Sequence, residues 1–434
     1  MGAESRLKSF KQFLSHGRER LGFEPGFVLW DGSTVPDDLS SNTLAIVLAD
    51  EGVVASLTRR PNLETFANLW VSGRIDLRNG TIFDLVLARP KVRTKEFRKT
   101  VNKWLAAKTL AKFLLVPRGG PWPLEEVPEQ RPSDGSEAEN EKNIQYHYDV
   151  SNDFYALWLD KEMVYTCAYC TDWSNDIDQM QQDKLEMICR RLRLKKGEHL
   201  LDIGCGWGAV SFYAAQHYGV TAVGVTLSTQ QYKYATEKAA RLGLTDRVKF
   251  ELADYSTMKG SFDKIAAVGI QEHIGLDNHP IYYKSVKRLL KKDGLFLHHA
   301  ITRPTRNNRN PHGKKNRAET ALFTKYIFPG AQLDHIGNTV TMLEQYGFEV
   351  HDVENWREHY QRTCKLWHDR LLTSYDAAVK EVGESKTRLW LLYLAASSIT
   401  FGRNNLRLYQ TLASRRRSGP SGLPPTRADL YRDG

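Results

Sequence analysis

The stretch LLDIGCGWGA, residues 200–209, limits what this chain can become more than any other part of it. An apolar run containing Asp202 enters a turn with glycine at 204, 206 and 208, and a helical pattern comes next. Glycine tolerates left-handed backbone at such a turn and lets a ligand come close to the main chain. The alternation then repeats: HLLDIG, a helix, TAVGVT, a helix, VKFELAD, KIAAVGI, a helix and GLFLHHAIT. Apolar strands separated by helices predict an α/β fold with a doubly wound, Rossmann-like sheet, since each parallel crossover needs a helix to return the chain. Ligands of such sheets sit outside the carboxyl ends of the strands.

Those strand ends narrow the ligand. Asp202 precedes the turn, and the third strand closes in ADY, with Asp254 placed to meet an adenine amino group. The second strand ends at Thr226, where a dinucleotide-binding chain carries an acidic residue for the ribose. S-adenosylmethionine fits better, because it has no pyrophosphate and needs polar groups at its amino acid and adenosine ends. The turn would hold the methionine part. Thr226 is a departure here too, and Gln231, one helical turn on, can replace the acid through its amide.

Strand four ends VGIQEHIG and strand five ends LHHAIT, so Glu272, His273, His298 and His299 all lie near the crevice. Neighbouring residues of a strand face opposite ways, which leaves about two of the four for the site. A carboxylate and an imidazole beside a sulfonium make an acid/base site.

The 434 residues are 41% hydrophobic, enough for one large core and a smaller one. Residues 1–116 mix strand-like runs (GFVLWD, NTLAIVLAD) with helical ones and are read as a smaller N-terminal α+β domain. Near its end Lys95, Arg98, Lys99, Lys103, Lys108 and Lys112 alternate with Phe97, Val101, Trp104 and Leu105. That pattern is a basic amphipathic helix whose apolar face either covers its own domain or meets a membrane. Residues 117–143, rich in Pro, Gly, Ser and Glu, are read as a linker. The catalytic domain spans 144–414 and closes in a helical segment over 364–414. Residues 415–434, opening with Arg415, Arg416 and Arg417, are read as a basic disordered tail.

A net charge of +10 favours polyanionic partners, either nucleic acid or an anionic lipid surface. A second basic cluster, Arg303, Arg306, Arg309, Lys314, Lys315 and Arg317, falls in a Pro- and Asn-rich loop. Neither a long uncharged apolar run nor a secretory pattern in MGAESRLKSFKQFL is present, which leads to the expectation of a soluble, cytoplasmic protein. The five cysteines give no disulfide framework. Cys167 and Cys170 stand two residues apart in MVYTCAYC, yet no second CxxC or HxxxH supplies further ligands, so no metal site is expected. A redox pair would open a helix directly after a strand, whereas this one lies in a Tyr-rich segment.

Taken in order, QYHYDVSNDFYALWLDKEMVYTCAYC, LLDIGCGWGA, VGVTLSTQQ, VGIQEHIG, LHHAI and KYIFPGA resemble the cyclopropane fatty acyl phospholipid synthases, over about residues 143–410. The resemblance implies methyl transfer from S-adenosylmethionine to a cis double bond of a phospholipid acyl chain, then proton loss and ring closure. It implies a bound bicarbonate as the base, met by Cys167 and Val268 largely through their backbone and by the side chains of Glu272, His299 and Tyr360. Around S-adenosylmethionine it implies Tyr148, Tyr165, Thr166, Gly204, Gly206, Thr226, Gln231 and Asp254, with Leu227 beside the ribose. It further implies a homodimer acting on unsaturated phospholipid at an anionic membrane, attached to the inner face from the cytoplasm. His299 is preferred to His298 because its spacing from Gly294 is that of the family. Gln271 and the HH doublet depart from the family pattern and bear on the fate of the methylated chain, because relatives leave a methyl branch or a methylene instead of a ring. A nucleic acid methyltransferase would place an Asn or Asp, two prolines and an aromatic where this chain has QEHIG, so no nucleic acid partner is expected.

Overall fold

The computed structural model describes residues 2–89, 102–125, 151–305, 322, 325–328 and 330–431. They fall into two compact units, one of residues 1–129 with 382–395, the other of 130–381 with 396–434.

The smaller unit carries a four-stranded sheet in the order β2-β1-β3-β4, with β1 Gly26–Val28, β2 Thr34–Val35, β3 Ala45–Leu48 and β4 Ile75–Arg78. The helices Glu51–Arg59 and Leu63–Val71 bury Val53, Ala55, Leu69 and Val71. Asn62 caps the second of these by accepting from the Thr65 N–H at 2.8 Å. Arg388 belongs to this unit and donates to the carbonyls of Trp70 and Ile75 at 2.7 and 3.1 Å. The unit extends past the boundary expected at residue 116. Arg118 offers its carbonyl to Arg74 at 2.6 Å, and Leu124 is buried with its N–H on Asn68 at 2.8 Å. The start of the segment read as a linker is therefore packed, and the remainder of it lies outside the described residues.

Of the basic helix, the described part is Lys103–Ala111, capped by Asn102. Trp104, on the face read as apolar, is 68% exposed and does not cover its own domain, with the Lys108 ammonium 4.6 Å from its ring centre. Lys95, Phe97, Arg98, Lys99 and Val101 lie outside the described residues, as do Arg306, Arg309, Lys314, Lys315 and Arg317.

The larger unit holds a seven-stranded sheet in the order β10-β11-β9-β8-β5-β6-β7. Its strands are β5 His199–Ile203, β6 Thr221–Thr226, β7 Val248–Leu252, β8 Phe262–Val268, β9 Leu290–Thr302, β10 Phe348–Asn355 and β11 Arg407–Arg415. Strands β5 to β9 pair in parallel, and β11 runs antiparallel between β9 and β10. This is the doubly wound sheet that the alternation predicts. Two buried clusters cover its faces, one around Leu200, Phe212 and Leu297, the other around Leu201, Tyr282 and Phe296.

Two expectations fail at the C-terminal end. The segment read as helical over 364–414 does hold the helices Arg357–Thr373, Tyr375–Val382 and Glu384–Gly402, but its last part is strand β11. The break lies in GRNN, where Asn404 adopts a left-handed φ of 56° that ends the helix and turns the chain back. The tail from 415 is not free of contacts either. Leu430 is buried and its carbonyl accepts from Arg190 at 3.2 Å, while Asp429 pairs with Arg193 at 2.9 Å.

Candidate active site

A cavity of about 340 Å³ opens at the carboxyl ends of β5, β6 and β8, within the size range of small-molecule sites. The glycine turn forms one wall. Gly206 and Gly208 have φ values of 56° and 89°, and a Cβ on Gly208 would stand 2.6 Å from Phe250, so only glycine lets the helix Ala209–Tyr218 begin there. Gly204 and Gly206 line the cavity together with Tyr165 and Thr166. Thr226, Leu227, Gln231 and Asp254 line its other end. Tyr148 lies outside the described residues.

The hydrogen bonds show how those polar groups are held. Thr226 donates its hydroxyl to the Gln231 side-chain carbonyl at 2.8 Å, which leaves the Gln231 NH2 as the group able to meet a sugar hydroxyl. Ser228 caps the helix Thr229–Arg241 and so fixes where Gln231 begins. Asp254 accepts from the Ser256 N–H at 2.7 Å. Asp202, at the floor, accepts from Ser211 at 3.0 Å, and burial raises its carboxyl to about 6.

Val268 also lines the cavity, whereas Cys167, Glu272, His299 and Tyr360 do not. These four are buried around β9 and Trp356. Val268 is the register partner of His299, and the Gly269 N–H donates to the His299 carbonyl at 2.8 Å. The His299 ring meets Trp356 edge-on at 5.2 Å. The Trp356 carbonyl accepts from the Tyr360 N–H at 3.0 Å and the Cys167 thiol at 3.8 Å. Glu272, in the short helix Gln271–Ile274, accepts from the Ile301 N–H at 2.6 Å, two residues beyond His299.

Two atoms of this group have no hydrogen-bond partner among the described residues, Glu272 Oε2 and His299 Nε2, although the residues are only 6% and 1% exposed. Leaving such groups unpaired costs about 1–3 kcal/mol each, so they mark a place built for something polar. Burial raises the Glu272 carboxyl to about 7, and the Ile301 N–H offsets part of that rise. Burial likewise holds His299 well below the ordinary imidazole value, helped by the charges of Lys184 and Arg191. At neutral pH the site offers a neutral imidazole and a carboxyl poised between its two forms.

The other candidates are differently employed. His298 faces away from His299, receives the Tyr282 hydroxyl at 3.1 Å and meets the Gln271 carbonyl at 2.7 Å, so both its nitrogens are engaged. His273 lines the cavity, and burial lowers it to about 4. The sulfurs of CAYC diverge: Cys167 turns inward, while Cys170 donates to the Asp172 carbonyl at 2.9 Å. Burial pushes the Cys167 thiol far above its ordinary value, which keeps it protonated.

Lys184 is a site residue that sequence reasoning misses. It lines the cavity at 1% exposure, donates to Thr166 at 2.7 Å and is lowered by burial to about 8. The available signal is its place on the helix Ile177–Leu192, at the same spacing as Ile177, Met180, Leu185 and Ile188, where a charge interrupts an apolar face.

Residues 135–411 match the family model described as mycolic acid cyclopropane synthetase. The chain belongs to the cyclopropane synthase family. A probable fatty acid methyltransferase of Pseudomonas putida is 34% identical over 93% of this chain and 95% of its own. The cyclopropane-fatty-acyl-phospholipid synthase of Escherichia coli is 36% identical over 62% of this chain and 66% of its own. The cyclopropane synthase MmaA2 of Mycobacterium tuberculosis superposes with a TM-score of 0.60 at 29% identity, covering 63% of this chain and 98% of that one. Mycolic acid cyclopropane synthase CmaA1, solved with S-adenosylhomocysteine, gives a TM-score of 0.60 at 28% identity over the same shares. As a cyclopropane synthase family member, the protein is an S-adenosylmethionine-dependent methyltransferase, and its sheet is the methyltransferase sheet.

Proposed function

We propose that the protein methylates a cis double bond in a phospholipid acyl chain and closes the product to a cyclopropane, using bicarbonate as the base. The observation that carries this reading is the buried pair of unpartnered atoms, Glu272 Oε2 and His299 Nε2, next to a cavity of S-adenosylmethionine type. An alkene is a weak nucleophile, so the chain's first task is to hold the donor still and in line. Gly204, Gly206, Gln231 and Asp254 do this at the two ends of the cavity. S-adenosylmethionine supplies the electrophilic methyl group.

The second task is to protect a cation. Methylation of the alkene leaves positive charge on the acyl chain, which water would trap. Tyr165, packed 5.3 to 5.5 Å from the rings of Tyr155, Trp158 and Trp367, brings an aromatic wall to the cavity, and aromatic faces tolerate positive charge. The third task is to remove one proton. A small oxyanion carrying one hydroxyl fits the orphaned pair: His299 Nε2 can donate to it, and Glu272 Oε2 can donate or accept near neutral pH. Bicarbonate bound there would supply the base, with Tyr360 and the backbone at Cys167 and Val268 completing its surroundings. The chain's own part is to hold that anion and keep water out.

A second reading is methylation without ring closure. It is favoured by a relative that matches nearly the whole chain, a probable fatty acid methyltransferase. In either case the acceptor comes from a membrane. No helix among the described residues is long and apolar enough to cross one. The smaller unit instead presents Trp104 and Leu115, 68% and 96% exposed, with Lys103, Lys108 and Lys112 close by in sequence, a combination suited to peripheral contact with anionic lipid. The homodimer implied by the family resemblance belongs to the same reading and is checked by sedimentation.

Mass spectrometry of lipids after incubation with S-adenosylmethionine, bicarbonate and monounsaturated phospholipid vesicles tests the proposal. One added CH2 per chain that resists hydrogenation supports ring closure, and an added CH2 that takes up hydrogen supports a methylene product. No added mass, with donor binding intact, would overturn the phospholipid acceptor.

A further inference from the structure

We propose that Arg191 and Gln410 form a relay that decides which ring nitrogen of His299 carries the proton. Strand β11 pairs antiparallel with β9, and Gln410 stands directly opposite His299, so their side chains share one face of the sheet. Both are buried, at 0% and 1% exposure. A glutamine amide has one accepting end and one donating end, and its partners tell them apart.

Arg191, fully buried on the helix Ile177–Leu192, places Nη1 2.9 Å from Gln410 Oε1. A guanidinium only donates and keeps its charge at any physiological pH, so the carbonyl end of Gln410 has to face it. The NH2 end is thereby turned to His299 Nδ1, 3.3 Å away. An NH2 only donates, so Nδ1 must accept through its lone pair. The single proton of the neutral ring then sits on Nε2, the atom without a partner in the site.

The cluster holding Arg191 also sets the ring's position. Its Nη2 meets Asp352 at 2.6 Å and Glu354 at 2.8 Å. Glu354 in turn accepts from Trp356 Nε1 at 2.7 Å, and Trp356 is the ring on which His299 packs. One ion group centred on the buried Arg191 therefore fixes both the tautomer and the lateral position of the imidazole. Neither Arg191 nor Gln410 lines the cavity, so they act as positioning residues. The use of the Nε2 proton rests on the reading that His299 faces an anion, whereas the tautomer itself does not.

The test is a long-range proton–nitrogen correlation spectrum of the full-length protein labelled with 15N-histidine, with His299 assigned by comparison with His299→Asn. Wild type is expected to show His299 neutral, protonated at Nε2 and bare at Nδ1. A proton on Nδ1 in wild type overturns the relay without needing any variant. Gln410→Glu keeps the size and still accepts from Arg191 but cannot donate, so His299 Nδ1 is expected to become protonated. An unchanged tautomer in that variant also overturns the proposal. The same variant is expected to lose roughly tenfold to a hundredfold in kcat with little change in KM for S-adenosylmethionine, the range seen when a partner that orients a site histidine is removed. A switched tautomer with unchanged kcat leaves the relay standing and removes His299 from the proposed anion site.

Discussion

Glu272 takes the Ile301 N–H on one carboxyl oxygen at 2.6 Å and leaves the other bare. The bond aims the side chain and the bare oxygen is what the site can use, so Glu272→Gln separates the two roles. The amide keeps the shape and can still accept from Ile301, but it cannot change its charge. Donor binding should persist while kcat falls by about a hundredfold or more, the scale for losing one preorganised group at a reacting centre. Unchanged turnover at saturating donor would remove Glu272 from the site.

The same carboxyl predicts how stability depends on pH. Its folded value, about 7, lies above its ordinary value of 4.5, so the folded state holds a proton that the unfolded chain has released between those limits. Stability falls with rising pH wherever the folded state binds more protons. Relative to Glu272→Gln, wild type should lose about 3 kcal/mol of unfolding free energy between pH 4.5 and 7, because each pH unit across that window removes about 1.4 kcal/mol. Denaturant titrations of both proteins at several pH values check this, and parallel curves would show that the carboxyl is not neutral in the folded protein.

The division between legible and hidden features comes from what periodicity can encode. The alternation from His199 to Thr302 announces the sheet because its central strands run through the buried core, and the glycine turn places the cavity at its edge. Strand β11 is hidden because RLYQTLASR comes after three helices without a long loop, and only the asparagines of GRNN mark the turn. Gln410, which reaches His299, is hidden with it. Lys184 and Arg191 lie seven residues apart on one buried helix face, where a pattern reading assigns charges to solvent. Each is explained only by a partner distant in sequence or fold, Thr166 for one and Gln410 with Asp352 for the other. Trp104 marks a choice that spacing leaves open: helical periodicity puts it on an apolar face that either covers its own domain or meets a membrane, and the fold leaves its ring exposed.

Thr226 stands where an acidic residue usually meets the ribose, and its hydroxyl occupies the side-chain carbonyl of Gln231, the residue that replaces the acid. Gln231→Leu removes the free NH2 and strands that hydroxyl at a buried position. A lost hydrogen bond with an unsatisfied partner costs about 1–3 kcal/mol, so affinity for S-adenosylmethionine should weaken by roughly tenfold or more. Calorimetric titration with S-adenosylhomocysteine measures this without turnover. Equal affinity in the variant would move the ribose away from Gln231.

Arg59 donates to the carbonyls of Leu114 and Val116 at 2.9 and 2.7 Å, clamping the turn so that Leu115 stands out between them. A side chain held 96% exposed gains nothing from the fold, and its removal should leave thermal stability unchanged. The double variant Lys103→Ala, Lys108→Ala and the single variant Leu115→Ser separate the two forces that would bring this face to a membrane. Each lysine near an anionic surface contributes about 1 kcal/mol, an effect that salt screens, whereas the leucine contributes by burial, which salt does not weaken. Sedimentation with anionic vesicles should therefore show binding reduced most at low salt by the lysine changes and reduced at all salt concentrations by Leu115→Ser. Wild-type binding by the combined triple variant, at both low and high salt, would leave Lys103, Lys108 and Leu115 without a lipid partner.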